Sequence, residues 1–147
     1  GDFRIDNMIF AKDSARIIAV LDWELSTLGH PLADFAYHCL AWRMPHALFN
    51  GLADLDLGTL KIPSEREHLD QYCARTGRPP VTPRDWEFYI IFNLFRLVGI
   101  AQGVMARALQ GNASSAQAHE MGARARPLAE LAWKRVEVLE RQATGGA

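Results

Sequence analysis

Asp2 and Asn7 stand five residues apart at the start of this 147-residue chain, and Asp22 closes the apolar run IIAVLD fifteen residues after Asn7. Two carboxylates and a side-chain amide form a set of hard oxygen donors. One carboxylate could hold and orient an attacking hydroxyl, while the amide oxygen and the other carboxylate could fix magnesium across nucleotide phosphates, as phosphoryl transfer requires. The D-x-x-x-x-N spacing alone is weak, because solvated turns produce it readily. Its force comes from a third ligand arriving in order, after a segment able to carry the chain out and back.

Asn7 to Phe10 and Arg16 to Leu21 are short apolar runs separated by AKDSA, whose Asp13 and Ser14 favour a turn. A small β-hairpin is expected, and its mouth would bring Asn7 and Asp22 together. In PLADFAYHCLAW, Pro31 suits a first helical position, and Leu32, Phe35, Ala36, Cys39 and Leu40 recur at three-and-four spacing. This predicts an amphipathic helix ending before Pro45. Residues 45–62 change character every few positions and read as a long loop with one or two short turns, a kind of segment that is often functional.

Ser64-Glu65-Arg66-Glu67 is a capping box that opens a helix running to about Thr76, with Gly77 as the stop. Thr82-Pro83-Arg84-Asp85 is a second start signal. The helix after it is expected to reach Gly111 and, being apolar on nearly every side, to be central and buried. A final helix is expected from a cap at Ser114 or Ser115 to about Gln142, with Leu128, Leu131, Ala132, Val136 and Leu139 on one stripe and a frayed tail over 143–147. The fold class is therefore mainly α with one small hairpin. Residues 1–30 hold the Asp2, Asn7 and Asp22 set with its hairpin, the candidate catalytic and metal loops, and 31–142 are expected to form a helical subdomain.

Composition narrows the function. With 49% apolar residues the chain can bury a core, and 16 Lys plus Arg against 17 Asp plus Glu leave no electrostatic footprint for nucleic acid or an anionic membrane surface. Cys39 and Cys73 lack CxxC spacing and read as reduced structural thiols in a cytoplasmic protein. The window from Phe88 to Met105 approaches membrane-spanning length but holds Asn93, Arg96 and Gln102. An arginine at mid-bilayer costs at least about 2.5 kcal/mol, so a core helix is expected rather than a span. The five histidines show no zinc-ligand spacing, and the Met and aromatic residues of that window fit core packing.

The joint pattern of GDFRIDNMIF followed by IAVLDWELSTLGHPLADFAY resembles the catalytic and metal segment of the aminoglycoside phosphotransferase and choline-kinase-like family, which reads HGDxxxxN, then (I/L)DW, then GDPxxDLA. It is most similar to the subgroup found fused to, or near, acyl-CoA dehydrogenases, and YIIFNLFRLVGIAQGVMARALQGNASS extends that similarity over almost the whole chain. The resemblance implies a kinase-like fold of which this chain is the later part of the C-terminal lobe, with the N-terminal lobe and the histidine before Gly1 missing. It also implies ATP and Mg2+ as cofactors, Asp2 as the catalytic base, and Asn7 and Asp22 as metal ligands. His30 stands where the wider family has the Asp of GDP. Asp34 matches a second acid whose role would be to brace the catalytic loop by accepting its amide hydrogen bonds.

Arg4, two residues after Asp2, would contact a phosphate or pair on the surface with Asp6. Trp23 is expected in the core, and Glu24 as a solvated or loop-bracing charge. Arg96, three residues after Asn93 on an apolar helix, would form a structural ion pair or contact an acidic group of the acceptor. The activity implied is phosphorylation of a hydroxyl on a small molecule, a hydroxyacyl-CoA or an aminoglycoside-like acceptor, with the fragment inactive by itself and its uncovered apolar face inviting a homodimer. The alternative is a pseudokinase-like helical interaction module that keeps the fold without turnover.

Overall fold

The computed structural model describes residues 1–112 and 117–144. The one sheet among them is the antiparallel pair β1 (Met8–Phe10) and β2 (Ile17–Val20), with Met8 opposite Val20 and Ile9 opposite Ala19. A register shift between Ile9 and Phe10 sets Phe10 opposite Ile17, so β2 holds one extra residue and twists. The amide of Leu21 donates to the carbonyl of Asn7 at 2.8 Å and closes the mouth of the hairpin.

The helices follow in order: α1 (Pro31–Cys39), α2 (His46–Phe49), α3 (Glu65–Thr76), α4 (Pro83–Leu109), α5 (Ala118–Ala123) and α6 (Ala125–Thr144). Short 3-10 turns cover Ile5–Asn7, Trp23–Leu25 and Leu40–Arg43. Both start signals form as the sequence predicts. Ser64 and Glu67 exchange hydrogen bonds in a full capping box, and the amide of Asp85 donates to Thr82 Oγ1 at 3.1 Å. Gly77 ends α3 in the left-handed region at φ 67°, a conformation with little cost only for a residue without Cβ.

The core gathers Leu32, Ala36, Cys39 and Leu40 from α1 and its extension, Leu69 and Cys73 from α3, Trp86, Ile90, Leu94 and Ala101 from α4, and Leu128 and Ala132 from α6. Phe35 stacks on Tyr72 with ring centroids 3.9 Å apart and joins α1 to α3. Gly122 lets α5 lie against α4, because a Cβ there would meet the Cβ of Met105 at 2.5 Å. Burial pushes the Cys39 thiol up to about 12, so it packs as an inert apolar group.

Two expectations need adjustment, and a third lies outside the described residues. The stretch from Gln117 onward is two helices broken at Arg124 and not one, and α6 reaches Thr144. The expected cap at Ser114 or Ser115 lies outside the described residues, as do positions 145–147. The long helix α4 is central, touching α1, α5 and α6, but it is not buried all round. Phe88, Phe92 and Phe95 form an exposed stripe, with Phe95 at 73%. An apolar residue on every side says only that no face is polar; which faces are covered depends on how many neighbours pack there.

Candidate active site

Asn7 stands at the N-terminal edge of β1 and Asp22 just beyond β2, so the hairpin delivers both to one point. The Asn7 Nδ2 group donates to Asp2 Oδ2 at 3.1 Å, to the Asp2 carbonyl at 2.8 Å and, at 3.5 Å, to Asp22 Oδ2. One amide thus ties together the carboxylates at either end of the segment. Asp22 itself sits in the left-handed region at φ 63° and ψ 48°, a strained place for a residue with Cβ that aspartate tolerates better than most. This conformation turns the chain into the 3-10 turn that follows.

Glu24 joins the cluster. The neighbouring Glu24 carboxyl, through its hydrogen-bonding reach and its charge, holds the Asp22 carboxyl above the usual range. The Glu24 carboxyl is held down, first by its own backbone amide and then by Asp22. The sequence had pointed to Glu24 only as a solvated or bracing charge; the i, i+2 spacing across a 3-10 turn is the signal that could have found this pairing.

The loop before Asn7 is clamped at its first residue. The Gly1 nitrogen donates to Asp34 Oδ1 at 2.6 Å, and the Gly1 carbonyl accepts from Arg96 Nη2 at 2.9 Å. A Cβ on Gly1 would collide with the Leu25 carbonyl, so glycine is needed for this close approach. Asp34 comes from the first turn of α1 and Arg96 from the middle of α4. The Arg96 guanidinium also lies 4.5 Å from the centroid of Tyr37, whose phenol is pushed up by burial and then by the charge of Asp2 and so stays neutral beneath the cation. Arg96 therefore holds a carbonyl and a ring, and of its two expected roles the structural ion pair does not form among the described residues. Tyr37 went unnoticed in the sequence because its partner is far along the chain.

Arg4 lies beside both acids, its Nε 3.5 Å from Asp2 Oδ2 and 3.7 Å from Asp6 Oδ2, with its side chain half exposed. It can swing toward a phosphate without breaking a tight pair. Trp23 is not in the core. It is 67% exposed, held by an Nε1 bond of 2.7 Å to the Val20 carbonyl, because the turn after Asp22 leads the indole away from the helices.

Next to Gly1 opens a cavity of about 540 Å3, walled by Trp23, Leu25, His30, Asp34, Phe92, Asn93 and Arg96 among others. Asn93 is fully buried; its Nδ2 donates to the carbonyls of Ala33 and Tyr89, while its Oδ1 has no partner. A concave site with aromatic walls and a few fixed polar groups beside reactive carboxylates has the form of a small-molecule site.

The donor set fits a magnesium nucleotide. Asn7 spends Nδ2 on the carboxylates and keeps Oδ1 free, and Asp22 offers exposed carboxylate oxygen; magnesium in such sites takes one or two protein oxygens and completes its shell with phosphates and water. Among the described residues no cluster of three or more His, Cys, Asp and Glu side chains could hold a metal without such help.

Residues 1–81 match the phosphotransferase enzyme family APH. Over 135 residues the chain is 48% identical to acyl-CoA dehydrogenase family member 10 of Mus musculus, and over 133 residues 45% identical to family member 11 of Gallus gallus. These alignments take in 90% and 88% of the chain but only 12% and 17% of those relatives. Among solved structures, a candidate aminoglycoside phosphotransferase from Ralstonia eutropha shares 50% identity at a TM-score of 0.86, over 93% of this chain and 41% of that one. The clustered Asp2, Asn7 and Asp22, the kinase-like fold and these matches agree: the chain belongs to the APH phosphotransferase family.

Proposed function

We propose that the protein containing this chain is a small-molecule kinase that transfers the terminal phosphoryl group of ATP to an acceptor hydroxyl. The observation that carries this reading is the single amide of Asn7 bridging Asp2 and Asp22, which gathers the two roles phosphoryl transfer needs at one spot. Asp2 accepts the hydroxyl proton and aims the oxygen. Asn7 Oδ1 and the Asp22 carboxylate are the groups that would hold magnesium, which when bound neutralises charge on the transferred phosphate. Asp34 and Arg96 keep the loop in place through the two backbone groups of Gly1, and Arg4 is near enough to meet a phosphate oxygen.

The acceptor sits in the cavity beside Gly1. The support for its class is the company the relatives keep: proteins called acyl-CoA dehydrogenase family members favour a hydroxyacyl-CoA or related hydroxy acid over an aminoglycoside of the kind named for the structural neighbour. Mass spectrometry on the intact protein incubated with magnesium ATP and panels of hydroxyacyl-CoAs, free hydroxy acids and aminoglycosides tests this. A mass gain of one phosphate on a hydroxyacyl compound is expected. Transfer to aminoglycosides alone would overturn the acceptor class, and transfer to nothing would overturn the kinase reading.

A further inference from the structure

Beyond His30 lies a second cavity of about 240 Å3, walled by His30, Leu32, Arg78, Pro80, Asp85 and Tyr89 together with Pro79 and Val81. His30 belongs to the walls of both cavities. That ring is fixed on two sides. It stacks on Tyr89 with centroids 5.2 Å apart and planes 12° apart, and its Nδ1 accepts the Leu32 amide at 3.3 Å. With Nδ1 accepting, the neutral ring carries its proton on Nε2, a donor with no partner among the described residues.

Arg78 is the unusual member. Its place is set by backbone: Gly77 turns the chain, the Arg78 amide closes back on the Cys73 carbonyl at 2.9 Å, and two prolines follow. Arg43 and Arg135, whose Nε atoms are likewise buried without a hydrogen bond, meet carboxylates in ion pairs, whereas the half-buried Arg78 guanidinium has neither ion-pair nor hydrogen-bond partner among the described residues. Asp85, the acid in the same wall, is turned to its own helix start, taking the Thr82 hydroxyl at 2.7 Å. In the first cavity the cation is already committed, since Arg96 holds the Gly1 carbonyl and Tyr37. Arg78 is thus the uncommitted cation of the paired cavities. A buried donor left unpaired is costly, and an oxyanion is its natural complement.

We propose that the acceptor is an elongated molecule with an anionic group, carboxylate or phosphate, at the end remote from its reacting hydroxyl. Arg78 and the His30 Nε2–H hold that group in the second cavity, while the apolar body lies along Trp23, Leu25 and Phe92 in the first. The proposal rests on the kinase reading for the hydroxyl end, but the anion site is a claim about this chain's own surface and can be tested apart from it.

The test compares ω-hydroxy carboxylates, from hydroxybutanoate to hydroxydodecanoate, with ω-hydroxyalkyl phosphonates and with diols of the same lengths, measuring kcat and KM of the intact protein and Arg78 Nε–H and Trp23 indole shifts by NMR. The anionic members are expected to bind about tenfold more tightly than the diols at the best length, which is a tenfold lower Kd or KM. Arg78→Ala should remove that preference, Arg78→Lys keep part of it, and Arg75→Ala, on the exposed side of α3, leave it whole. The carboxylate and phosphonate arms show which oxyanion is preferred. Equal binding of anions and diols by the unaltered protein, or a preference that survives Arg78→Ala, overturns the proposal. Binding that shifts Arg78 without turnover of any acceptor would instead sink the kinase reading and leave the anion site standing.

Discussion

With its Nδ2 committed to two carboxylates, Asn7 has only Oδ1 to offer a cation, and this division decides what substitutions there should do. Asn7→Asp replaces the bridging donor with a third negative charge between Asp2 and Asp22. Apparent magnesium affinity in the intact protein, followed by titration of turnover against Mg2+, is expected to weaken about tenfold or more, because the loop loses the donor that ties Asp2 to Asp22 and repelling carboxylates spread the site apart before any cation arrives. Unchanged affinity would show that the bridge has no part in metal binding. Asp22→Ala removes the proposed ligand and also a residue that tolerates left-handed backbone, so Asp22→Asn, which keeps that tolerance, is the cleaner probe of charge.

At the scale of elements, packing holds α1, α3, α4 and α6 together, and one ion-pair network that the sequence does not reveal joins α3, α4 and α6 to the 3-10 turn after α1. Arg43 meets Glu65 and Glu87, Arg135 also meets Glu87, and the Trp86 indole donates to Glu65 at 2.8 Å. Glu87 is the shared carboxylate between two largely covered arginines, so Glu87→Gln should lower stability by about 2 kcal/mol, read from chemical denaturation, more than loss of an exposed i, i+4 pair such as Arg126 with Glu130. The α1–α3 face makes a pH prediction. His38 and His68 lie with ring centroids 5.4 Å apart among Phe35, Trp42 and Tyr72, and both are held below the ordinary 6.5, His38 by burial and then by His68, His68 by burial and then by Arg75. Asp34 acts in the opposite sense on His38. The unfolded chain takes up these protons first, so stability is full above pH about 6.5 and falls as pH drops toward the folded values. Asp56 and Glu67, whose carboxyls are held down by hydrogen bonds in the loop and the capping box, lose their contribution only at more acid pH. A melting temperature that is flat from pH 7 to 5 would contradict the histidine account; in His38→Gln with His68→Gln the slope should flatten.

At the scale of the whole molecule, the exposed apolar surface is the main feature: Phe88, Phe92 and Phe95 on α4, and Ile9, Phe10, Ile17 and Ile18 on the hairpin. The chain spans 41% of the solved relative and far less of the curated ones. We propose that a nucleotide-covering lobe belongs above the hairpin, and we expect the 147 residues alone to turn over little ATP and to self-associate in sedimentation measurements. Phe92→Ser with Phe95→Ser should reduce that association; a monomer at all concentrations would contradict it. How much of this was legible follows the range of the interactions. The Asp2, Asn7 and Asp22 set could be read because one local hairpin brings it together, and the caps of α3 and α4 because their partners lie three residues away. The exposure of Trp23, the hold of Arg96 on Gly1 across 95 residues and the loneliness of Arg78 depend on what other elements cover, which spacing along the chain does not encode.

The central claim is that Asp2 and Asp22 act at one phosphoryl-transfer centre, and the most direct measurement is magnesium-dependent phosphate transfer from ATP by the intact protein carrying Asp2→Asn or Asp22→Asn. Each change keeps side-chain size and the fold, checked by an unaltered melting curve. Each is expected to lower kcat by at least about a hundredfold, from loss of proton acceptance and aim at Asp2 and loss of metal charge balance at Asp22. A well-folded variant of either kind with kcat near that of the unaltered protein would contradict the account.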